Sequence, residues 1–223
     1  MKTRTLMLDM PWGKTRHVVP ESMWIHLEPI LQGAYDVPYL EFAEPPRVLD
    51  IGACVGTFAV WAAKRWAGAI VKAYEPNPFS YAMLVENVRD AGCFHRNMGV
   101  LSLAGGAPLY LGESNPGEAT VDNRMRTAGT EKVWANFVAA RDLPPCDVMK
   151  IDTEGCELEI LRGYPHLHGV SALMVEWHRR GDRAEIERIA YDAGLQLCGG
   201  KTYWLDLGEM KFVRPERLPE ARR

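Results

Sequence analysis

The sequence predicts an α/β fold in which a parallel sheet carries helices on both faces. Short apolar runs alternate with segments of helical period between residues 47 and 194, the rhythm of strands joined by crossover helices. The joints are short and punctuated by glycine, which favours neighbouring parallel strands. The 223 residues are 47% hydrophobic and 25% charged, the balance of a globular chain with a sizeable core.

The elements follow in order. Arg47-Val48-Leu49-Asp50-Ile51 reads as a buried strand that passes through Gly52 into an alanine-rich helix over Gly56–Trp66. Ile70–Glu75 is the second strand. The next helix has Asn77 as N-cap and Pro78 at its first position, a pairing favoured at helix starts. Its apolar face is Tyr81, Leu84, Val85 and Val88, and Gly92 is the expected stop. Residues Leu101–Cys146 break the rhythm, with a hairpin expected at Ala107–Leu111 and a polar loop at Glu113–Glu118. Val148–Asp152 is a strand followed by a helix over Glu154–Arg162 that Gly163 ends. Ala172–Glu176 is another strand. The following helix starts at Asp182, with Glu185 completing a capping-box pattern and Ile186, Ile189, Ala190 and Ala193 as its face. Leu195–Val213 reads as short strands with turns at Gly199-Gly200 and Gly208.

Charge and cysteine content narrow the function. The formal net charge is −3, without the basic surplus that binding to a phosphate backbone usually brings. The long uncharged stretch Asn97–Gly112 is broken by Gly105, Gly106 and Pro108 and falls short of the about 20 apolar residues a bilayer span needs. The five cysteines include no C-x-x-C pair, which suits reduced thiols. With no apolar core of signal-peptide length at the start, a cytoplasmic location is expected.

In open sheets ligands bind at the carboxyl ends of strands, so the strand ends carry the chemistry. Asp50-x-Gly52-x-x-x-Gly56 joins the first strand to the first helix, where glycines let a ligand approach the backbone and the helix offers free N–H groups. Glu75 ends the second strand, where a carboxylate can accept both hydroxyls of a ribose. A dinucleotide fingerprint begun at Gly52 would need glycines where Cys54 and Thr57 stand. An acid before the turn suits a ligand with an ammonium group and no phosphates. S-adenosylmethionine fits: methionine end near the loop, ribose on Glu75, and adenine under the third strand end at Asn97.

The later strand ends concentrate acids. Asp152, Glu154 and Glu157 follow one strand, and Glu176 and His178 end the next. Such a group serves as a base toward a hydroxyl, as a site for an oxygen-loving divalent metal, or as helix caps. Asp152 is read as functional, and His178 as a contact to substrate or metal. Glu154 and Glu157 are read as caps of the following helix. Either Asp152, or His178 assisted by Glu176, is expected to take a proton from an acceptor hydroxyl. No metal is required, and if one is used, Asp152, Glu154 and Glu176 are its expected ligands.

Val48–Gly56, Tyr74-Glu75-Pro76-Asn77-Pro78, Met149-Lys150-Ile151-Asp152-Thr153-Glu154-Gly155-Cys156-Glu157 and Met174–His178 together resemble the FkbM-type methyltransferases. The likeness runs from about Val19 to Val213, and its specific part is the Lys-Ile-Asp-x-Glu-Gly-x-Glu block. The resemblance implies a class I S-adenosylmethionine-dependent methyltransferase, a Rossmann-like three-layer sandwich. Its sheet is mostly parallel and seven-stranded, with an antiparallel last strand. It also implies O-methylation of a small hydroxylated acceptor such as a sugar or secondary metabolite. Asp50, Gly52, Ala53 and Gly56 would line the methionine part, Glu75 and Pro76 would hold the ribose, and Asp152 would face the methyl. Tyr35, in Gln32-Gly33-Ala34-Tyr35-Asp36, would close over the cofactor. Residues 1–45 would then pack on or cap the cofactor site, residues 46–214 form the methyltransferase domain, and residues 215–223 form a tail. Cys54 stands where the family commonly has asparagine, which removes a polar contact. Two other readings stay open: methylation of a nucleic-acid base, as in tRNA-type enzymes, and a non-catalytic S-adenosylmethionine-binding protein.

Overall fold

The computed structural model describes residues 2–10, 13–112, 118–122 and 131–218, apart from the side chains of residues 24–26 and 28. Most of the expected polar loop at Glu113–Glu118 and the end of the tail, residues 219–223, lie outside the described residues.

The chain opens with an antiparallel hairpin of β1 (Thr3–Met10) and β2 (Gly13–Pro20), then α1 (Trp24–Leu31). The alternating unit follows: β3 (Arg47–Ile51), α2 (Thr57–Arg65), β4 (Ile70–Tyr74), α3 (Pro78–Asn87) and β5 (Phe94–Arg96). Three strands interrupt it, β6 (Gly99–Leu101), β7 (Gly105–Tyr110) and β8 (Lys132–Ala139). It resumes with β9 (Val148–Ile151), α4 (Glu157–Gly163), β10 (Ala172–Trp177), α5 (Arg180–Asp192), β11 (Gln196–Trp204) and β12 (Leu207–Val213).

The main sheet has seven strands in the order β11-β12-β10-β9-β3-β4-β5. From β10 to β5 every pairing is parallel, and β12 runs antiparallel between β10 and β11. This is the architecture implied by the family resemblance. Residues of β9 are buried along their whole length, as a strand covered on both faces must be. Alternation along the strands divides two cores. Leu49, Ile51, Met149, Ile151, Leu173 and Val175 pack with Ile160, Leu161 and Ile186 of α4 and α5. Val48, Val71, Val148 and Met174 pack with Phe58, Trp61 and Leu84 of α2 and α3. No helix among the described residues is long and apolar enough to cross a membrane.

Several boundaries differ from expectation. Asn77 does cap α3, its Oδ1 accepting from the Phe79 N–H at 3.0 Å. The helix expected from Glu154 begins instead at Glu157, because Glu154 and Gly155 have positive φ of 54° and 106° and form a loop. The helix expected from Asp182 begins at Arg180 with no side-chain cap, and Glu185 pairs with Arg162 and Arg188. The segment Ala107–Leu111 pairs not with itself but with β8. Gly199 and Gly200 lie inside β11 rather than in a turn. A Cβ on Gly200 would lie 2.6 Å from the Glu209 carbonyl oxygen, and one on Gly208 would lie 2.7 Å from the Trp177 ring. Both glycines serve close approach within the ladder.

Candidate active site

A cavity of about 580 Å³ opens at the carboxyl ends of β3, β4, β9 and β10. One wall is the turn after β3. Gly52 has φ of +76°, and a Cβ there would meet the Asp152 carbonyl oxygen at 1.6 Å, so the turns after β3 and β9 touch where only glycine fits. Cys54, at φ 50°, donates its backbone N–H to Glu75 Oε2 at 2.8 Å. The other Glu75 oxygen accepts from the Asn77 N–H at 2.7 Å. Burial pushes the Glu75 carboxyl up to about 7, against the lowering effect of these two N–H groups.

Gly52, Ala53, Glu75, Pro76 and Tyr35 line the cavity, and so do Asp152, Glu154, Glu176 and His178. Three expected cofactor contacts do not. Asp50 is fully buried behind the turn, its carboxylate 3.4 Å from Lys150 Nζ. Gly56 caps α2 at φ 82° and faces α3, where a Cβ would lie 3.0 Å from Val88. Asn97 donates from Nδ2 to the carbonyls of Glu75 at 2.9 Å and Pro76 at 3.2 Å, bracing the strand end from outside the cavity wall. Thr57 on the first turn of α2 lines the cavity, and its buried Oγ1 has no partner. That orphaned hydroxyl and the helix N-terminus above Gly56 suit the carboxylate end of S-adenosylmethionine, and the Glu75 carboxylate, held by two backbone N–H groups, suits the ribose hydroxyls as an acceptor.

The opposite wall holds the acids. Adjacent β9 and β10 bring their tips together as expected. Lys150 Nζ donates to the Gly52 carbonyl at 2.6 Å and lies 3.5 Å from Asp152 Oδ2. Burial works against its charge, but Asp152 and Asp50 outweigh it and raise its pKa. The His178 ring places Nδ1 3.0 Å from Glu157 Oε1 and Nε2 3.3 Å from Glu154 Oε2 and 3.9 Å from Asp152 Oδ1. Burial alone would lower His178, but the Glu157 hydrogen bond and the charges of Glu157, Glu154 and Asp152 push it up to about 10. Burial and neighbouring carboxylates raise Glu154 to about 8, against His178, and burial and Asp152 raise Glu176 to about 7. Tyr35 donates its hydroxyl to Glu176 Oε2 at 3.2 Å, which ties the N-terminal segment to the acid wall rather than to the glycine turn.

Glu157 is more than a helix-dipole partner. It is 1% exposed, and its Oε1 also accepts from the Thr153 N–H, the Thr153 hydroxyl and the Gly155 N–H. Lys150, Thr57 and the Lys201-Tyr203-Glu209 wall were not singled out from the sequence. Lys150 carried a usable signal, a lone charge inside an otherwise apolar strand. The β11–β12 residues carried none, because their place over the cavity depends on the β12 crossing.

The fold and this two-walled cavity define a class I S-adenosylmethionine-dependent methyltransferase. The model of the methyltransferase FkbM domain matches residues 50–197, and the chain belongs to that family. Hexuronic acid methyltransferase AglP of Haloferax volcanii is 32% identical over 174 residues, covering 74% of this chain and 71% of the relative. Methyltransferase sdnD of Sordaria araneosa is 27% identical, covering 82% and 86%. Among solved structures, the fibrillarin pre-rRNA processing protein of Methanococcus jannaschii superposes with a TM-score of 0.51 at 14% identity, covering 94% of this chain and 82% of that one. An O-methyltransferase family protein from Burkholderia thailandensis gives 0.50 at 12% identity, covering 86% and 57%. These two likenesses concern the fold.

Proposed function

We propose that the protein transfers a methyl group from S-adenosylmethionine to a hydroxyl oxygen of a small polar acceptor, a sugar or sugar-like metabolite. The observation that carries this reading is the Asp152–Glu176–His178 group facing the glycine turn across one cavity. The sulfonium supplies an activated methyl, so the protein must align the acceptor oxygen and remove its proton. Asp152 lies between Lys150 and His178 at the tip of β9, where it meets the acceptor hydroxyl. Glu176, raised to about 7, is poised to receive a proton near neutral pH.

A hexuronic acid acceptor, as named for the Haloferax volcanii relative, suits the outer wall. Lys201 and Tyr203 both line it, the Lys201 ammonium 5.1 Å from the Tyr203 ring centroid. Lys201 is placed to meet an acceptor carboxylate, while the acids at the transfer point repel one and leave a hydroxyl as the group methylated. The same acids disfavour a phosphate backbone, which counts against nucleic-acid base methylation.

Incubation with carbon-13-methyl-labelled S-adenosylmethionine and a panel of neutral sugars, glucuronic acid, galacturonic acid and bulk tRNA tests the reading. A label bound to sugar oxygen is the expected product. Label on a base of tRNA, with none on the sugars, would refute it.

A further inference from the structure

We infer that Asp152, Glu154 and His178 form a binding site for a divalent cation beside the acceptor hydroxyl; this deepens the reading just given and rests on it. One donor atom from each of the three lies within 4.8 Å of the other two, with His178 Nε2 3.3 Å from Glu154 and 3.9 Å from Asp152, so small side-chain movements bring the three to bonds of about 2.0–2.3 Å around one ion. The three side chains meet the cavity from different elements. Asp152 and Glu154 come from the loop after β9, and His178 follows β10.

The imidazole gives the second, independent observation. The His178 side chain is 6% exposed. Its Nδ1 is taken by Glu157, while its Nε2 is aimed into the group, 3.3 Å from Glu154 Oε2, 3.9 Å from Asp152 Oδ1 and 4.0 Å from Glu176 Oε1. A ring nitrogen presented this way, with the other nitrogen fixed by a buried carboxylate, is the arrangement of a metal-binding histidine and its outer partner. The Glu154 carboxylate has the His178 ring as its ion-pair partner at 3.3 Å, and its backbone carbonyl is held by the Thr120 hydroxyl at 2.6 Å. Asp152, Glu154, Glu157 and Glu176 surround one imidazole, and Lys150 stands beside Asp152. A dication offsets that excess. In the metal-free protein a proton on Nε2 offsets part of it instead, and a bound cation would displace that proton.

Two carboxylates and an imidazole suit Mn²⁺ or Zn²⁺ better than Ca²⁺. Glu176, expected from the sequence as a ligand, falls outside the mutually close set. Its carboxylate is bonded by Tyr35 and stands 4.0 Å from His178 Nε2, where it can take a proton. The cation polarises the acceptor hydroxyl and the O–H proton passes to Glu176. The oxygen lone pair forms the new C–O bond as the methyl C–S bond breaks, and the sulfonium leaves as a neutral thioether.

Metal-free protein titrated with Mn²⁺ and followed by electron paramagnetic resonance tests the site without needing the acceptor. Wild type is expected to take up one Mn²⁺ per chain, displaced by Zn²⁺. Glu154→Gln is expected to bind at least tenfold more weakly while keeping its affinity for S-adenosylmethionine within a few-fold, which shows that it remains folded. Failure of wild type to take up either ion, or equal uptake by Glu154→Gln, would overturn the inference. If cofactor binding and sugar methylation persist in the metal-free protein, the cation is lost and the methyltransferase reading stands. If label reaches no sugar with Mn²⁺ bound, that reading fails instead.

Discussion

His178 Nδ1 and Glu157 Oε1 lie 3.0 Å apart, and the same oxygen accepts the backbone N–H groups of Thr153 and Gly155. One buried carboxylate therefore fixes both the loop that carries Asp152 and Glu154 and the ring that faces them. The hydrogen bonds within this group, more than the acids taken singly, set the shape of the acid wall.

Glu157→Gln removes the charge but keeps the shape. Hydrogen bonds to a charged group are worth about 1.5–3 kcal/mol, and a loss of that order is expected in urea unfolding at neutral pH. Burial alone would raise the Glu157 pKa, but the hydrogen bond and charge of His178 lower it overall. Its stabilisation is therefore fully present above the ordinary carboxylate range and is lost as pH falls through the lower folded value. The Gln variant should flatten that acid limb of the stability profile. An unchanged limb would assign the acid sensitivity to other groups.

Lys150 and Asp50 form a buried pair at 3.4 Å. Lys150→Met leaves Asp50 without its compensating charge, and breaking one side of such a pair costs about 3–5 kcal/mol. Adding Asp50→Asn should recover part of that loss, because the stranded charge is gone. Additive losses in the double variant, measured by denaturant unfolding, would show that the two side chains are not coupled.

The proposed function gives Glu75 the ribose contact. Replacing it with Gln should weaken S-adenosylmethionine about 10–100-fold, the equivalent of a charged hydrogen bond lost. Ribose hydroxyls donate to the ionised form, and burial holds this carboxyl at about 7. Affinity should then be full above that value and fall by up to about tenfold per unit as pH drops below it. Calorimetry in the Gln variant should show that slope removed. A wild-type affinity that is flat with pH would place the ribose elsewhere.

Much of this site was legible because strand ends in an open sheet point at the ligand. Asp152, Glu176 and His178 lie at the ends of two neighbouring strands, so their convergence needs only the right neighbour order. Asp50, Gly56 and Asn97 sit in the same motifs, yet they serve the turn, the α2–α3 packing and the β4 strand end. Sequence spacing places a residue near a ligand without saying which way its side chain points. The acids at Glu154 and Glu157 suit a helix start, and only the left-handed backbone at Glu154 and Gly155 shows a loop there. The β1–β2 hairpin went unread because β1 is mostly exposed and lacks a strong apolar alternation.

Under the proposed function the cavity divides into a cofactor wall at Gly52 and Glu75 and a reaction wall at Asp152. Single-turnover methyl transfer to the accepted sugar, measured beside the dissociation constant for S-adenosylmethionine in wild type and Asp152→Ala, tests it directly. The variant is expected to transfer methyl about 10²–10⁴-fold more slowly with cofactor affinity within a few-fold. An unchanged rate, or a loss of affinity that matches the loss of rate, would contradict it.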